Sequence, residues 1–282
     1  MTTARRPLKT EEVMRKILLY TGLAIFLIIY LFPIYWTILT SLKSDIDLWA
    51  YPPRFIFKPN FRYYYEIITR GEFFKACLNS FIVSSVSTFF IILFGSLAAY
   101  AFSRFNFKGR FFLFSSIISV RAIPYISIVI PLFLIMRELK LVNTYLGLIL
   151  PYTSLGLALT IWIMSAYFTT IPRELEEAAI IDGCSRWGIL FRIILPLSAP
   201  GLISVSIIMF MACWNDFLLG VVLTGRETRT LPVLIGTARG LLGIEWQRLA
   251  ALAILGILPG ICITLAMQKY VRRGLLLGAI KG

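Results

Sequence analysis

The stretch EEAAIIDGCSRWGILFRIILPL, residues 176–197, lies between two long apolar segments yet carries three acids and two arginines. Pro172 and the three glutamates that follow it are typical of a first helical turn, where the helix dipole favours negative charge. Gly183 indicates the end of that helix, because glycine readily adopts a left-handed backbone. Residues 185–194 predict a second short helix, which we expect to end at Pro196. The segment is therefore either a docking surface or an amphipathic loop on the lipid headgroups.

The apolar segments on either side belong to a chain whose composition is typical of an integral membrane protein. Of its 282 residues, 59% are hydrophobic and 15% are charged, whereas soluble domains carry about 25% charged residues. The apolar residues are concentrated in runs close to the ~20 residues that a helix needs to cross a bilayer. We predict an all-α, polytopic membrane protein with six transmembrane helices. The predicted spans are residues 17–39, 78–102, 111–136, 144–168, 199–223 and 249–267.

The basic residues indicate the orientation of these spans. Six spans place both termini on one side, and lysine and arginine favour the cytoplasmic side, with long outer loops carrying little weight. We therefore expect both termini in the cytoplasm, with residues 169–198 on the cytoplasmic side and residues 224–248 outside. The first apolar run is too long for a signal-peptide core, so we expect it to remain uncleaved.

Composition excludes several classes of function. The net charge is +14, but the bases flank apolar runs, so they indicate lipid rather than nucleic acid as the partner. The chain has no histidine, and its four cysteines lie far apart, so no metal site and no disulfide is predicted. A phosphate-binding loop of the form G-x4-G-K-[ST] is also missing from the sequence. We predict no catalytic residue and no cofactor on this chain.

The opening stretch also carries a spaced motif. Glu177, Ala178 and Ala179 are followed at fixed intervals by Gly183 and by Ile193, Leu195 and Pro196, in the form EAA-x3-G-x9-I-x-LP. This motif resembles the cytoplasmic signature of permease subunits of binding-protein-dependent ABC importers. LAAYAFSR (97–104), IPLFLIMRELKLVNTYLGLIL (130–150), WNDFL (214–218) and QKYVRRGLLLGAIKG (268–282) resemble the carbohydrate branch, in particular the six-span subunit of the maltose, glycerol-phosphate and trehalose type.

The resemblance implies a type I ABC importer permease fold in a bacterial or archaeal inner membrane. It divides the chain into a cytoplasmic lead (1–16), a first span with its outer loop (17–77), a permease core (78–271) with the coupling loop 169–198, and a cytoplasmic tail (272–282). The implied partners are a second homologous permease, two ATPase subunits that bind ATP and Mg²⁺, and a soluble solute-binding protein.

The resemblance also implies which residues meet the ATPase. The coupling contacts fall on Glu174, Glu177, Ala178, Ala179, Asp182, Gly183, Ser185 and Arg186. Ile193, Leu195 and Pro196 close the coupling loop. Lys281 and Gly282 in the tail are expected to reach the ATPase as well.

Polar residues inside the spans are candidates for the translocation path. Arg121 lies in the third span and cannot cheaply face lipid, so we expect it to face a partner helix or the translocation path, or to be tied to backbone carbonyls between helices. Trp214, Asn215 and Asp216 combine an aromatic face with amide and carboxylate groups, which is the chemistry that holds a sugar. Alternatively, Trp214 belongs to the interfacial aromatic belt, and Asn215 and Asp216 either line the path or lie at a subunit interface. Straight helices would keep Arg121 and Asp216 apart, because Asp216 would lie near the outer surface.

The outer loop 224–248 is the last candidate site. Gly236, Gly240 and Gly243 allow it to fold compactly, and the resemblance implies that it docks the solute-binding protein, the alternative being a plain surface loop. The expected function is a non-catalytic permease subunit of an ABC importer for a carbohydrate-like solute. The alternatives are an ABC permease for another solute and a secondary transporter that acts alone.

Overall fold

The structure is a computed structural model that describes residues 10–238 and 245–279, with side chains for 14–238, 245–262 and 265. All regular elements in these residues are helices, as predicted. The chain divides into two compact units, Met1–Glu66 with Arg239–Ile254, and Ile67–Ala238 with Leu255–Gly282.

The first unit is built on one long apolar helix. Helix α1 (Thr10–Leu42) contains the predicted span 17–39, and its apolar segment has no side chain buried within the protein. A short helix, α2 (Asp45–Leu48), follows, and α3 (Arg62–Thr69) begins in this unit. The Gln247 side-chain amide donates a hydrogen bond of 2.9 Å to Asp45 and thereby ties the start of the last helix to α2.

The remaining helices follow in the order that the hydropathy pattern predicts. They are α4 (Glu72–Arg104), α5 (Arg110–Ser119), α6 (Tyr125–Glu138), α7 (Tyr145–Thr169), α8 (Glu174–Ile181), α9 (Arg186–Ile189), α10 (Leu195–Leu197), α11 (Ala199–Trp214), α12 (Leu218–Leu223), α13 (Leu231–Gly236) and α14 (Trp246–Ala279). A 3-10 turn, Val120–Ala122, follows α5, and a π-helical turn, Leu190–Ile194, joins α9 to α10.

Helices α4 and α7 form the centre of the second unit. They contain the predicted spans 78–102 and 144–168, and they pack more extensively than any other described pair, followed by α4 with α11. Glycines allow the close approach. A Cβ atom on Gly156 would lie 2.5 Å from Ile91 Cδ1, and one on Gly95 would lie 2.5 Å from Thr160 Cγ2. Small residues permit such backbone contact between membrane helices.

The third span is broken, which corrects the prediction of one helix over residues 111–136. Helices α5 and α6 meet at an angle of 103° across the 3-10 turn. Pro124 supplies the physical reason, because proline disfavours helical backbone at the residue before it. Ile123 is accordingly extended, with φ −74° and ψ 127°. The break leaves Arg121 on an irregular turn.

The fifth span also differs from the predicted single helix over 199–223. Helix α11 ends at Trp214, and α12 starts only at Leu218. At its other end, α11 is bent by 77° from the helical segment Arg186–Leu197. Among the described residues, three helices are long and apolar enough to cross a membrane, and five if each bent pair forms one span. The sixth predicted span lies in α14, whose apolar part is Trp246–Cys262.

Candidate functional site

The predicted pair of short helices is confirmed. Helix α8 ends in a Schellman turn, in which the Gly183 amide donates to Ile180 O at 3.0 Å and the Cys184 amide donates to Ala179 O at 2.9 Å. Gly183 has the left-handed backbone that this turn requires, with φ +81°. The Ser185 hydroxyl then accepts from the Gly188 amide at 3.1 Å and caps α9.

The second helix continues past the predicted end at Pro196. It runs through the π-helical turn, in which the Leu195 amide donates to Leu190 O, five residues back. Proline has no amide hydrogen, so Pro196 leaves the carbonyl four residues earlier without its usual partner. The helix ends at Leu197, with the Ser198 amide bonded to Ile194 O at 2.9 Å.

The two short helices divide the predicted coupling residues between an outer and an inner face. Those on the outer face are exposed: Glu174, Glu177, Ala178, Asp182, Gly183, Ser185 and Arg186. Ala179 is placed differently, because it is only 6% exposed and belongs to the core cluster around Tyr100 and Phe168. Of the residues that close the loop, Ile193 and Leu195 pack against the same cluster, whereas Pro196 is exposed. Ala179 therefore seats the helix on the protein.

Large apolar side chains project from the outer face. Ile181 is 87% exposed and Trp187 is 64% exposed, and Leu175 in the first turn of α8 is 45% exposed. Charged residues of the same two helices, including Glu177 and Arg186, surround them along the chain. Exposed apolar side chains bordered by charge mark an interaction surface, either for a protein partner or for the membrane. We call Leu175, Ile181 and Trp187 the docking face.

A buried ion pair holds the inner face of α8 to α4. The Arg104 guanidinium pairs with the Glu176 carboxylate, and the two side chains are 5% and 6% exposed. Tyr100 donates a hydrogen bond of 3.2 Å to the same carboxylate, and Arg104 donates a second bond, of 2.9 Å, to Ile171 O. The end of α4 therefore contacts both α8 and the segment that leads into it.

A second polar cluster lies at the break in the third span. It lines a cavity of about 270 Å³ that also has walls from Ile91 on α4 and from α7 and α11. Asp216 is its centre, because its carboxylate accepts hydrogen bonds from the hydroxyls of Tyr125 at 2.7 Å and Tyr152 at 3.0 Å. The backbone amides of Leu219 and Gly220 also donate to it, at 3.0 and 3.3 Å.

The cavity brings together two residues that straight helices would separate. Arg121 and Asp216 both line it, because the bend turns the irregular segment toward the end of α11. Trp214 does not line it. This side chain is 5% exposed and stacks on Phe210 with ring centroids 5.9 Å apart, so it is a packing residue rather than a sugar platform or a belt residue. Asn215 is exposed, and its side chain donates to Met211 O at 2.9 Å.

The segment 226–234 contributes to a polar cleft at the end of α4 opposite Arg104. Lys75 pairs with Glu227, and the Asn79 side chain donates to the backbone of Glu227 and Arg229 at 3.0 and 2.9 Å. The hydrogen bond from Lys75 lowers the pKa of the Glu227 carboxyl. Gly236 ends α13 and is exposed. The remaining predicted residues of this loop and of the tail lie outside the described residues: Gly240, Gly243, Lys281 and Gly282.

Sequence reasoning missed the residues that connect these sites. Glu176 and Ala179 are three residues apart, a spacing that places both on one face of a helix, and this signal could have identified Glu176 as an inward residue. Tyr125 and Tyr152 carried no such signal, because their partner Asp216 is distant in sequence. Within the described residues, no group of three histidine, cysteine, aspartate or glutamate side chains could hold a metal ion.

Comparison with known proteins agrees with this architecture. The permease protein SmoH of the sulfoquinovosyl glycerol transport system of Agrobacterium fabrum is 37% identical over 283 residues, covering 100% of this chain and 99% of that protein. The permease protein MalG of the trehalose/maltose transport system of Thermococcus litoralis is 38% identical over 276 residues, covering 96% of this chain and 99% of that protein.

Solved structures share the fold. A chain of a bacterial ABC transporter involved in the import of the acidic polysaccharide alginate matches with a TM-score of 0.76 and 21% identity, over 94% of this chain and 99% of that chain. The family model of binding-protein-dependent transport system inner membrane components matches residues 91–276. That match covers more than half of the chain and includes both short helices and the cavity. The chain therefore belongs to the family of binding-protein-dependent transport system inner membrane components.

Proposed function

We propose that this chain is the permease subunit of an ABC importer that moves a carbohydrate-like solute into the cell. The single observation that carries the proposal is the exposed pair of short helices at residues 174–197. This pair carries the apolar docking face and the EAA-x3-G-x9-I-x-LP motif. The names of full-length relatives support a sugar-type solute, since they refer to sulfoquinovosyl glycerol and to trehalose and maltose.

The docking face engages a cytoplasmic ATPase subunit. Ile181 and Trp187 supply the apolar contact, and the charged residues around them, with Glu177 and Arg186 among them, set the register of docking. The left-handed turn at Gly183 keeps the two short helices at a fixed angle. The chain has no phosphate-binding motif of its own, so ATP and Mg²⁺ are bound by two ATPase subunits and this subunit is not an enzyme.

The remaining partners follow from the same assignment. A second, homologous permease completes the membrane pore, and a soluble solute-binding protein docks outside, on the side of loop 224–248. This arrangement places both termini in the cytoplasm and the chain in the inner membrane. Arg121 and Asp216 line the cavity at the broken third span, and we assign them to the translocation path.

Substitution of Gly183 tests this function. The change Gly183→Val forces a β-branched residue into φ +81°, which disrupts the turn between α8 and α9. Gly109→Val is the matched control, because Gly109 has φ +82°, a Cβ atom added there would meet nothing within 4 Å, and the residue lies outside the docking face. In reconstituted importer, Gly183→Val should abolish ATP-driven uptake, whereas Gly109→Val should keep it, with both chains present in the membrane.

Two results would contradict the proposal. Normal ATP-driven uptake by the Gly183→Val complex would remove the coupling role of the turn. Solute flux through the purified chain without any partner would instead favour a secondary transporter that acts alone.

A further inference from the structure

The buried pair of Arg104 and Glu176 stands apart from the residues assigned to ATPase docking. Glu176 faces inward, whereas its neighbours Leu175 and Glu177 are exposed. Arg104 is the last residue of α4. The pair therefore joins the helix that carries the docking face to a helix in the centre of the fold.

A buried ion pair at this place acts as a stiff connection. Both charges have left water, and neither can separate from the other without leaving a buried charge without its partner. The Tyr100 hydroxyl and Ile171 O add two further hydrogen bonds that restrict the positions of Glu176 and Arg104. Arg186 on α9 also lies over the ring of Phe105, 5.7 Å from its centroid. The end of α4 is thus tied to both short helices.

Helix α4 also reaches the other sites of the protein. It has 33 residues and is therefore about 50 Å long at ~1.5 Å per residue. Ile91, near its middle, is a wall of the cavity that Arg121 and Asp216 line. A displacement at the Arg104 end is carried along this helix, because its core side chains are close-packed against α7 and resist independent movement.

We propose that Arg104 and Glu176 are positioning residues that transmit movement of the docking face through α4 to the cavity. The inference rests on the proposed function, since it assumes that a partner moves α8. It adds that the transmitting contact is this buried pair, with Tyr100 as its third member. The exposed residues of the docking face contact the partner that moves, and the buried pair passes the displacement of α8 to α4.

Cysteine labelling of the cavity tests the proposal without knowledge of the solute. Ala212 lines the cavity and is exposed, so Ala212→Cys is introduced in a chain whose four native cysteines are replaced by serine. The assembled importer is labelled with a membrane-impermeant maleimide, with and without ATP and vanadate. ATP hydrolysis and the amount of complex are measured in parallel.

The expected result separates transmission from stability. Glu176→Gln should keep ATP hydrolysis but reduce the nucleotide-dependent change in labelling rate at least about fivefold, the lower end of typical coupling between sites. The charge-swapped pair Arg104→Glu with Glu176→Arg should restore part of that change. Arg62→Gln is the control, because Arg62 is the exposed member of an i,i+4 ion pair with Glu66, and its loss should leave the labelling change intact.

Each other outcome overturns one defined claim. A Glu176→Gln complex with the full nucleotide-dependent change would refute the transmitting role. Where Glu176→Gln lowers the amount of complex, the charge-swapped pair decides, since restored amount without restored labelling change would also refute it. A parent complex with no nucleotide-dependent change would instead contradict the proposed function.

Discussion

The hydrogen bonds that Asp216 accepts from α6 and α7 provide the sharpest test of what fixes the second half of the broken third span. Asp216→Ala removes the acceptor for two tyrosine hydroxyls and two backbone amides. Tyr152 and Leu219 are buried, so their donors are costly to leave without an acceptor, whereas Tyr125 is exposed and can bond to bulk water. The substitution should therefore separate α6 from α7 and loosen the start of α12.

The magnitude follows from these contacts. A buried donor left without an acceptor costs about 1–3 kcal/mol, and the loss of a side-chain acceptor at a helix start costs about 0.5–2 kcal/mol. We expect Asp216→Ala to lower the free energy of unfolding by about 1.5–5 kcal/mol. At about 2–4 °C per kcal/mol, that loss lowers the thermal midpoint of the purified complex by roughly 3–20 °C.

Thermal unfolding of the complex, followed by circular dichroism, is the assay. Asp216→Asn keeps an oxygen acceptor for the amides and should lose less than half as much. Asn215→Ala is the matched control, because its side chain is exposed and bonds only to the backbone of its own helix. The reasoning would be refuted if Asp216→Ala and Asn215→Ala had the same midpoint.

The close contact of α4 and α7 and the ion pair of Lys75 with Glu227 provide further predictions. Gly156→Val should destabilise the protein by about 1–3 kcal/mol and lower its thermal midpoint accordingly, because the new side chain would overlap buried Ile91. Gly22→Val is the control and should change the midpoint little, because a Cβ atom added at Gly22 meets nothing within 4 Å. The pKa of Glu227 is lowered from its usual 4.5 by Lys75, so the stabilisation from this pair is present above pH 4.5 and is lost as pH falls through the lowered pKa. Lys75→Ala should remove that acid-side loss, as measured by midpoints between pH 3 and pH 7, and an unchanged pH profile in Lys75→Ala would contradict the assignment.

Local chemistry predicted the helices and the turn at Gly183, because these depend on residues close in sequence. Apolar runs predict spans, and a glycine after a helical segment predicts a left-handed end. The break near Pro124 was also visible in principle, but the length of the apolar run outweighed the proline in the prediction of one helix over 111–136. Membrane helices often tolerate proline, so its presence does not by itself predict a break.

Contacts between distant segments could not be predicted from the sequence. Asp216 meets Tyr125 and Tyr152, which are 91 and 64 residues away, and only the three-dimensional path of the chain brings them together. The inward direction of Glu176 likewise depends on Arg104, 72 residues earlier in the chain. A run of three glutamates near a helix start looks uniformly polar until the packing of that helix is known.

The bend between α5 and α6 also has a consequence for the membrane as a barrier. Irregular backbone at the depth of a bilayer requires water or protein around its amide and carbonyl groups. The cavity beside the bend has an arginine, a carboxylate and tyrosines in its walls, so water that enters it finds polar partners. A water-filled recess is a route for leakage of protons and small ions. The barrier to such leakage must then come from the packed apolar side chains around the cavity. Polar substitutions among those side chains should therefore dissipate ion gradients even when no solute is being moved.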